Sequence, residues 1–304
     1  MPPAWLWIAA TLWAAFAQTI RNAAQRHLTA ELGTLGATLV RFLYGVPFAL
    51  LWLFAVQKAT ATALPVPALN FAIWVAVGGL AQILATALLL RTMQERNFAL
   101  GVAYSKTEIL QVAVFGLVFL GDPIGLPAAL AVASATVGVL LLSPADKERP
   151  LRTLLTGWTS RTALLGLACG ACFAISVVGY RGATLALRGT PFLMAAAYTL
   201  VAAQVFQTLV LGGWLLLRDA SVVRKVLVAW RVSLFAGFMG AAASAGWFTA
   251  FALEPAAHVR TLGLVELVFS YAVSRRLFRE RLSRLELAGM ALLALGVAII
   301  TLAG

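Results

Sequence analysis

Apolar residues fill this chain in blocks of membrane length, broken by short clusters of proline, glycine and charge. A helix needs ~20 mostly apolar residues to cross a bilayer. Ten segments meet that requirement, at about 4–25, 34–56, 69–91, 98–120, 124–142, 162–181, 190–217, 226–250, 256–275 and 285–303. Turn residues mark the breaks. Leu64-Pro-Val-Pro67 parts the second and third, Gly121-Asp-Pro123 the fourth and fifth, and Glu254-Pro255 the eighth and ninth. The longest charged linker, residues 143–161 with Asp146-Lys-Glu-Arg-Pro150, leaves five segments in residues 1–142 and five in 162–304.

The two halves repeat each other. Glu108-Ile-Leu-Gln-Val-Ala-Val-Phe115 lies over Glu266-Leu-Val-Phe-Ser-Tyr-Ala-Val273 at an offset of 158 residues, and the same offset sets Asp122 on Glu280 and Gly138 on Gly296. Internal repeats of hydrophobic helices mark secondary transporters, whose site lies between the repeats near the bilayer midplane. Five is an odd number, so the second half must insert upside down relative to the first. The expected fold is all-α and integral to the membrane: ten transmembrane helices as two inverted five-helix repeats around a central cavity.

Composition agrees. The residues are 62% hydrophobic and 11% charged, with mean hydropathy +0.93. A soluble domain needs only about half its residues apolar, so the chain reads as one membrane domain. The net charge of +12 does not imply nucleic acid, because the basic residues cluster at helix ends and not on one patch. They set orientation instead. Loops after odd segments hold seventeen, among them Arg21, Arg26, Arg91, Arg218, Arg224, Lys225, Arg231 and Arg275; loops after even segments hold Lys58, Arg181 and Arg188. The odd loops are therefore expected in the cytoplasm and both termini outside, in a cell (inner) membrane. Ala15-Phe-Ala17 resembles a signal cleavage site, but no basic n-region precedes it, so the first segment reads as a span. Cys169-Gly-Ala-Cys172 lies inside an apolar span, where small residues at a helix contact are the plainer account than redox chemistry.

Polar residues inside the spans carry the functional signal, since a charge at mid-bilayer costs about 2.5–3.5 kcal/mol on insertion scales. Arg41, Lys106, Glu108, Arg260 and Glu266 lie deep, with Arg21, Glu254 and His258 nearer helix ends. They either neutralise one another and pin helices together, or serve a site. Spacing bears on the choice. Tyr104, Glu108, Gln111 and Phe115 share one helix face, as do His258, Leu262, Glu266 and Phe269. Gln18, Arg21, Asn22 and Gln25 form a third polar stripe; Ser244, Trp247, Phe251 and Glu254 a fourth; Gln204 and Gln207 a fifth. One stripe serves as helix glue. Five together favour a wet interior. Lys106 and Arg260 point away from the glutamates of their own helices, toward acids on neighbouring helices or a substrate carboxylate. Trp247 and Tyr104 could stack on a flat substrate, although such aromatics more often pack or anchor at the interface.

The end of each half resembles the drug/metabolite transporter superfamily, EamA type. Lys106-Thr-Glu-Ile109 and Leu264-Val-Glu-Leu267 stand at its helix start, Gly121-Asp122 and Arg279-Glu-Arg-Leu282 at its corner, and Gly138, Gly289 and Gly296 in its glycine-rich last helices. Ile109 and Leu267 stand where that family often has proline. The resemblance implies efflux of amino acids or related metabolites.

The expected function is secondary-active transport of a small polar or amphipathic metabolite by alternating access, with Glu108 and Glu266 as candidates for proton coupling. Burial raises a carboxyl pKa and a neighbouring cation lowers it, so a carboxyl held between those pulls exchanges its proton as a cavity opens to either side. Partners are thus a small-molecule substrate, a proton and the lipid bilayer. No catalytic, metal or cofactor site is expected. A membrane enzyme on lipid-linked substrates, or a non-transporting partner subunit, are the alternatives. The first would need a nucleophile or metal cluster, and the chain has only His27 and His258 with no acidic cluster.

Overall fold

The computed structural model describes residues 3, 5–95, 108–122, 124–141 and 161–269, with 288–289, 291–292, 295–296 and 298–299. Tyr104, Lys106, Glu280 and linker residues 143–160 lie outside the described residues. Every regular element among the described residues is helical. In chain order these are α1 Leu6–Leu43, α2 Val46–Thr60, α3 Leu69–Glu95, α4 Glu108–Phe115 with a π-helical turn Gly116–Leu120, α5 Leu126–Leu141, α6 Arg161–Ala186, α7 Phe192–Arg218, α8 Ala220–Val228, α9 Trp230–Leu253 and α10 Ala256–Leu262. Residues 265–269 are helical again after a turn at Gly263-Leu264.

Glycine and proline place most of the breaks. Gly33 sits at φ 68°, where a side chain would be strained, and it interrupts α1. Pro47 opens α2, Pro191 caps α7, and Pro255 caps α10. The first expected loop is corrected here. Residues 26–32, with Arg26 and His27, stay helical, and the first breaks fall at Gly33 and at Tyr44-Gly45. The expected eighth span, 226–250, divides at Ala229 into the end of α8 and the start of α9.

Five helical stretches among the described residues are long and apolar enough to cross a membrane: Leu6–Thr60, Leu69–Arg91, Leu164–Ala186, Phe192–Arg218 and Trp230–Leu253. Their outward surfaces are apolar. Leu51, Phe54, Leu209, Leu216, Phe235 and Phe238 are all exposed, while Arg21, Gln25, Arg41, Gln204 and Gln207 are buried. Water would favour the reverse arrangement. This is an all-α, membrane-embedded protein.

The chain forms two compact units, and neither coincides with a half. The first holds residues 1–83 and 176–254; the second holds 84–175 and 255–304. In the first unit, Phe71 and Val75 of α3 pack on Ala183 of α6, on Leu187 just after it and on Ala195 of α7. Leu39 and Phe42 of α1 pack on Ile83, Leu211 and Leu215. Small residues permit close approach there. A Cβ added at Gly179 would stand 2.8 Å from Gly78 Cα, so the backbones of α3 and α6 touch. In the second unit, Ile109 and Ala113 of α4 pack on Val132 of α5 and on Ala257 and Leu264.

Candidate functional site

In the first unit the polar stripes turn inward and join. Arg21 and Arg41 of α1 are 2% and 3% exposed. A Cβ at Gly240 of α9 would lie 3.4 Å from both Arg21 Cδ and Arg41 Cγ, so the two arginine stems cross α9 at one glycine. Arg21 Nη2 donates to Asn22 Oδ1 at 2.8 Å, and Gln25 Nε2 to the Ala37 carbonyl at 2.8 Å. Trp247 Nε1 donates to Gln18 Oε1 at 3.0 Å, and its ring stacks on Phe251 with centroids 6.0 Å apart. Gln82 of α3 accepts at Oε1 from Tyr180 Oη at 3.0 Å and from Gln207 Nε2 at 2.9 Å; Gln207 Nε2 also reaches the Gly79 carbonyl at 3.3 Å.

Part of this network borders a partly open recess of about 170 Å³, too narrow to hold a water molecule. Its wall is Arg41 and Phe42 of α1, Gln82 of α3, Leu200, Ala203, Gln204 and Gln207 of α7, and Ser244 and Phe248 of α9. Gln204 is 3% exposed, and its Oε1 has no hydrogen-bond donor among the described residues. A Cβ at Gly45 would be 2.1 Å from that oxygen, so the missing side chain at Gly45 makes room for the amide. A buried guanidinium among amides, inside helices with apolar outer faces, is costly unless it serves a ligand or a partner group.

The second unit contains a buried ion pair. Arg260 Nη2 of α10 donates to Glu108 Oε1 at the start of α4. The two residues are 8% and 3% exposed and come from opposite halves of the chain. Glu108 Oε2 and Gln111 Oε1 have no hydrogen-bond donor among the described residues. They sit on one face of α4, three residues apart. Glu266 is buried at 5% exposed, and His258 is half-buried. The straight stripe expected through His258, Leu262 and Glu266 is corrected, because the turn at Gly263-Leu264 interrupts the helix between them. Also in this unit, Ser134 Oγ donates to the Leu292 carbonyl at 2.9 Å. These positions are 158 residues apart, the repeat offset.

The candidates from the sequence therefore separate. Gln18, Arg21, Asn22, Arg41, Trp247 and Phe251 belong to the first unit, and Glu108, Gln111, His258, Arg260 and Glu266 to the second. Arg41 borders the recess; Tyr104 and Lys106 are outside the described residues. Gln82 was missed. It is an isolated amide in an apolar span, and only its contacts with Tyr180 and Gln207 reveal it. Arg181 was assigned to a loop, and this is corrected. It is buried in α6, where Nη1 donates to the Phe251 and Glu254 carbonyls at 2.6 and 2.5 Å. Arg21 leaves the loops as well. Arg26 is helical too, so the charge count loses Arg21 and Arg26 on the odd side and Arg181 on the even side.

A polar interior under an apolar surface defines the class as membrane-embedded and all-α. No family model and no curated protein matches the chain. A solved structure described only as "Crystal structure of protein" is similar to it, with TM-score 0.63 and 15% identity over 98% of this chain and 95% of that one. At that identity the likeness is one of fold alone.

Proposed function

We propose that this protein is a secondary-active transporter that moves a small polar metabolite across the membrane by alternating access. The observation that carries the reading is the polar recess lined by Arg41, Gln82, Gln204, Gln207 and Ser244 inside apolar helices. A scaffold has no need of such a wall, and the cost of burying it argues for a ligand. The repeat supports the same reading. The Ser134–Leu292 hydrogen bond joins two positions one repeat offset apart, as contacts near a two-fold axis between repeats would. Inverted repeats are the architecture of alternating access. We take the fold as ten spans in two inverted halves, resembling the EamA-type transporters, and efflux as the direction that the resemblance implies.

Glu108 is the coupling residue in this reading. One oxygen is held by Arg260, and the other has no hydrogen-bond donor among the described residues. The ion pair also favours a second reading, in which Glu108 only pins α4 to α10. Proteoliposome assays separate the two. Glu108→Gln keeps size and hydrogen bonding but removes titration. Coupling predicts that substrate-for-substrate exchange survives while pH-driven accumulation fails. Pinning predicts that folded protein is lost, because Arg260 is stranded at a cost of about 3–5 kcal/mol. Normal pH-driven accumulation in the variant would rule out the proton role. Absence of flux for every metabolite screened, with and without a pH gradient, would rule out transport.

A further inference from the structure

We propose that a surface recess of the first unit holds the headgroup of a zwitterionic phospholipid, one whose phosphate is followed by a primary ammonium. The site needs a membrane around the helices and does not depend on the transport reading.

The recess is partly open and has about 330 Å³ of space. That is room for a small polar group, since ligand sites begin at about 300 Å³. His27 and Glu31 line it from α1, just before the break at Gly33. Val228 at the end of α8 lines it with Trp230, Arg231 and Val232 at the start of α9. Glu31 and Arg231 carry opposite charges and are both exposed, yet neither is ion-paired among the described residues. Opposite charges that line one space without meeting suit a ligand that carries both signs. The Arg231 guanidinium lies 5.5 Å from the centroid of the Trp230 ring, which steadies it as a phosphate partner. No side chain caps the start of α9, where the helix dipole favours an anion. The phosphate therefore belongs with Arg231 and the ammonium with Glu31, on the other helix. His27, one turn before Glu31, adds a ring that can hydrogen-bond to the same headgroup.

The apolar surroundings make the ligand a lipid and not a soluble zwitterion. Val228 and Trp230 at the rim are 75% and 52% exposed. Arg231 heads a face of α9 that continues through Leu234, Phe235 and Phe238, at i+3, i+4 and i+7, and all three are exposed. In a membrane-embedded helix that stripe faces lipid, so acyl chains run along it from a headgroup held at Arg231. Tryptophan and arginine at a helix end are the usual residues of the headgroup level. An anionic headgroup would gain Arg231 but bring no positive group to Glu31.

Native mass spectrometry of the delipidated full-length protein in detergent tests this with three dioleoyl lipids: phosphatidylethanolamine, phosphatidylcholine and phosphatidylglycerol. Phosphatidylethanolamine should bind ~3–10-fold more tightly than phosphatidylcholine, whose ammonium has no N–H to donate. Glu31→Gln keeps the size and removes the counter-charge. It should bring phosphatidylethanolamine to the level of phosphatidylcholine and leave phosphatidylglycerol no weaker. Arg231→Gln should weaken phosphatidylethanolamine and phosphatidylglycerol alike, each by ~3–10-fold. Glycerophosphoethanolamine, the same headgroup without chains, should fail to displace the lipid at equal concentration. Both side chains are exposed, so neither substitution strands a buried group. Should a variant fail to fold, the wild-type comparisons with phosphatidylcholine and with the chainless headgroup decide alone. Phosphatidylcholine binding as tightly as phosphatidylethanolamine, equal losses of phosphatidylethanolamine and phosphatidylglycerol in Glu31→Gln, or unchanged phosphatidylethanolamine binding in either variant would overturn the proposal. Displacement by glycerophosphoethanolamine at equal concentration would overturn it too, in favour of a soluble zwitterion. Loss of transport leaves these binding measurements untouched, so the site and the transport reading fail separately.

Discussion

Arg181 shows how little a charge's place in the sequence says about its role. It stands near the end of an apolar run, where loop charges are expected, yet it caps α9 from inside. The last four carbonyls of a helix lack intrahelical donors, and Arg181 Nη1 supplies the Phe251 and Glu254 carbonyls at the end of α9. Arg181→Ala should therefore lower stability by about 1.5–3 kcal/mol, the range for hydrogen bonds to charged groups, and thermal unfolding in detergent measures it. Arg181→Lys should recover part of that, because a single ammonium replaces a rigid fork. The Glu108–Arg260 pair makes a sharper residue-scale prediction. Arg260→Gln should destabilise by about 3–5 kcal/mol, and adding Glu108→Gln should restore part of it, since Glu108 then no longer buries a charge that has lost its guanidinium. A double variant no better than the worse single one would show that the pair is not the coupled unit. Both residues are visible in the sequence as intramembrane charges. Their pairing is not, because 152 residues separate them.

At the scale of elements, hydropathy located most helices but not their joints. The starts of α3, α5, α6 and α7 lie within about two residues of expectation, because a bilayer-length apolar run bounded by proline, glycine or charge has few alternatives. The breaks at Tyr44-Gly45, Ala229 and Gly263 did not show, since each falls inside an apolar or helix-compatible run. The contact of α6 with α3 is equally hidden, as many glycines lie in the spans and few touch a backbone. Gly179→Ala should force these helices apart, because its Cβ would meet Gly78 Cα at 2.8 Å. Overpacking of that kind costs about 1–3 kcal/mol, to be read as a fall in melting temperature. The short helix α8 is amphipathic, with Arg224 and Lys225 outward and Val226 buried. Asp219 caps it, accepting from Ser221 Oγ at 2.6 Å and from the Ser221 backbone N–H at 3.1 Å. The Ser221 hydroxyl is the main cause that holds this carboxyl below its usual range. A depressed carboxyl stabilises the folded helix above the ordinary carboxylate pKa, and that contribution fades as pH falls through the lowered one. The protection of the Ser221 and Val222 amides, relative to their intrinsic exchange rates at each pH, should fall in acid in the native protein, and Asp219→Ala should remove that dependence.

For the whole molecule, orientation is a matter of charge. The loops after odd segments remain far more basic than those after even ones once Arg21, Arg26 and Arg181 are taken out of the count. Cysteine placed at Val66, 94% exposed between α2 and α3, should react with an impermeant reagent added outside intact cells, and cysteine at Arg224 should not. The reverse pattern would invert the topology. The sequence by itself determined the membrane class and the helical make-up, because those follow from composition and the length of apolar runs, and it marked Arg41, Glu108, Arg260 and Glu266 as charges at depth. The Ser134–Leu292 hydrogen bond joins residues separated by the same 158 positions as the sequence offset. Only the tertiary structure decided that the chain divides into units assembled from both halves, that Arg260 meets Glu108, and that Arg41 shares a recess with Gln82, Gln204, Gln207 and Ser244. Periodicity says which side chains share the face of one helix. Which helices those faces meet depends on close packing between elements far apart in the chain, and no local pattern encodes it.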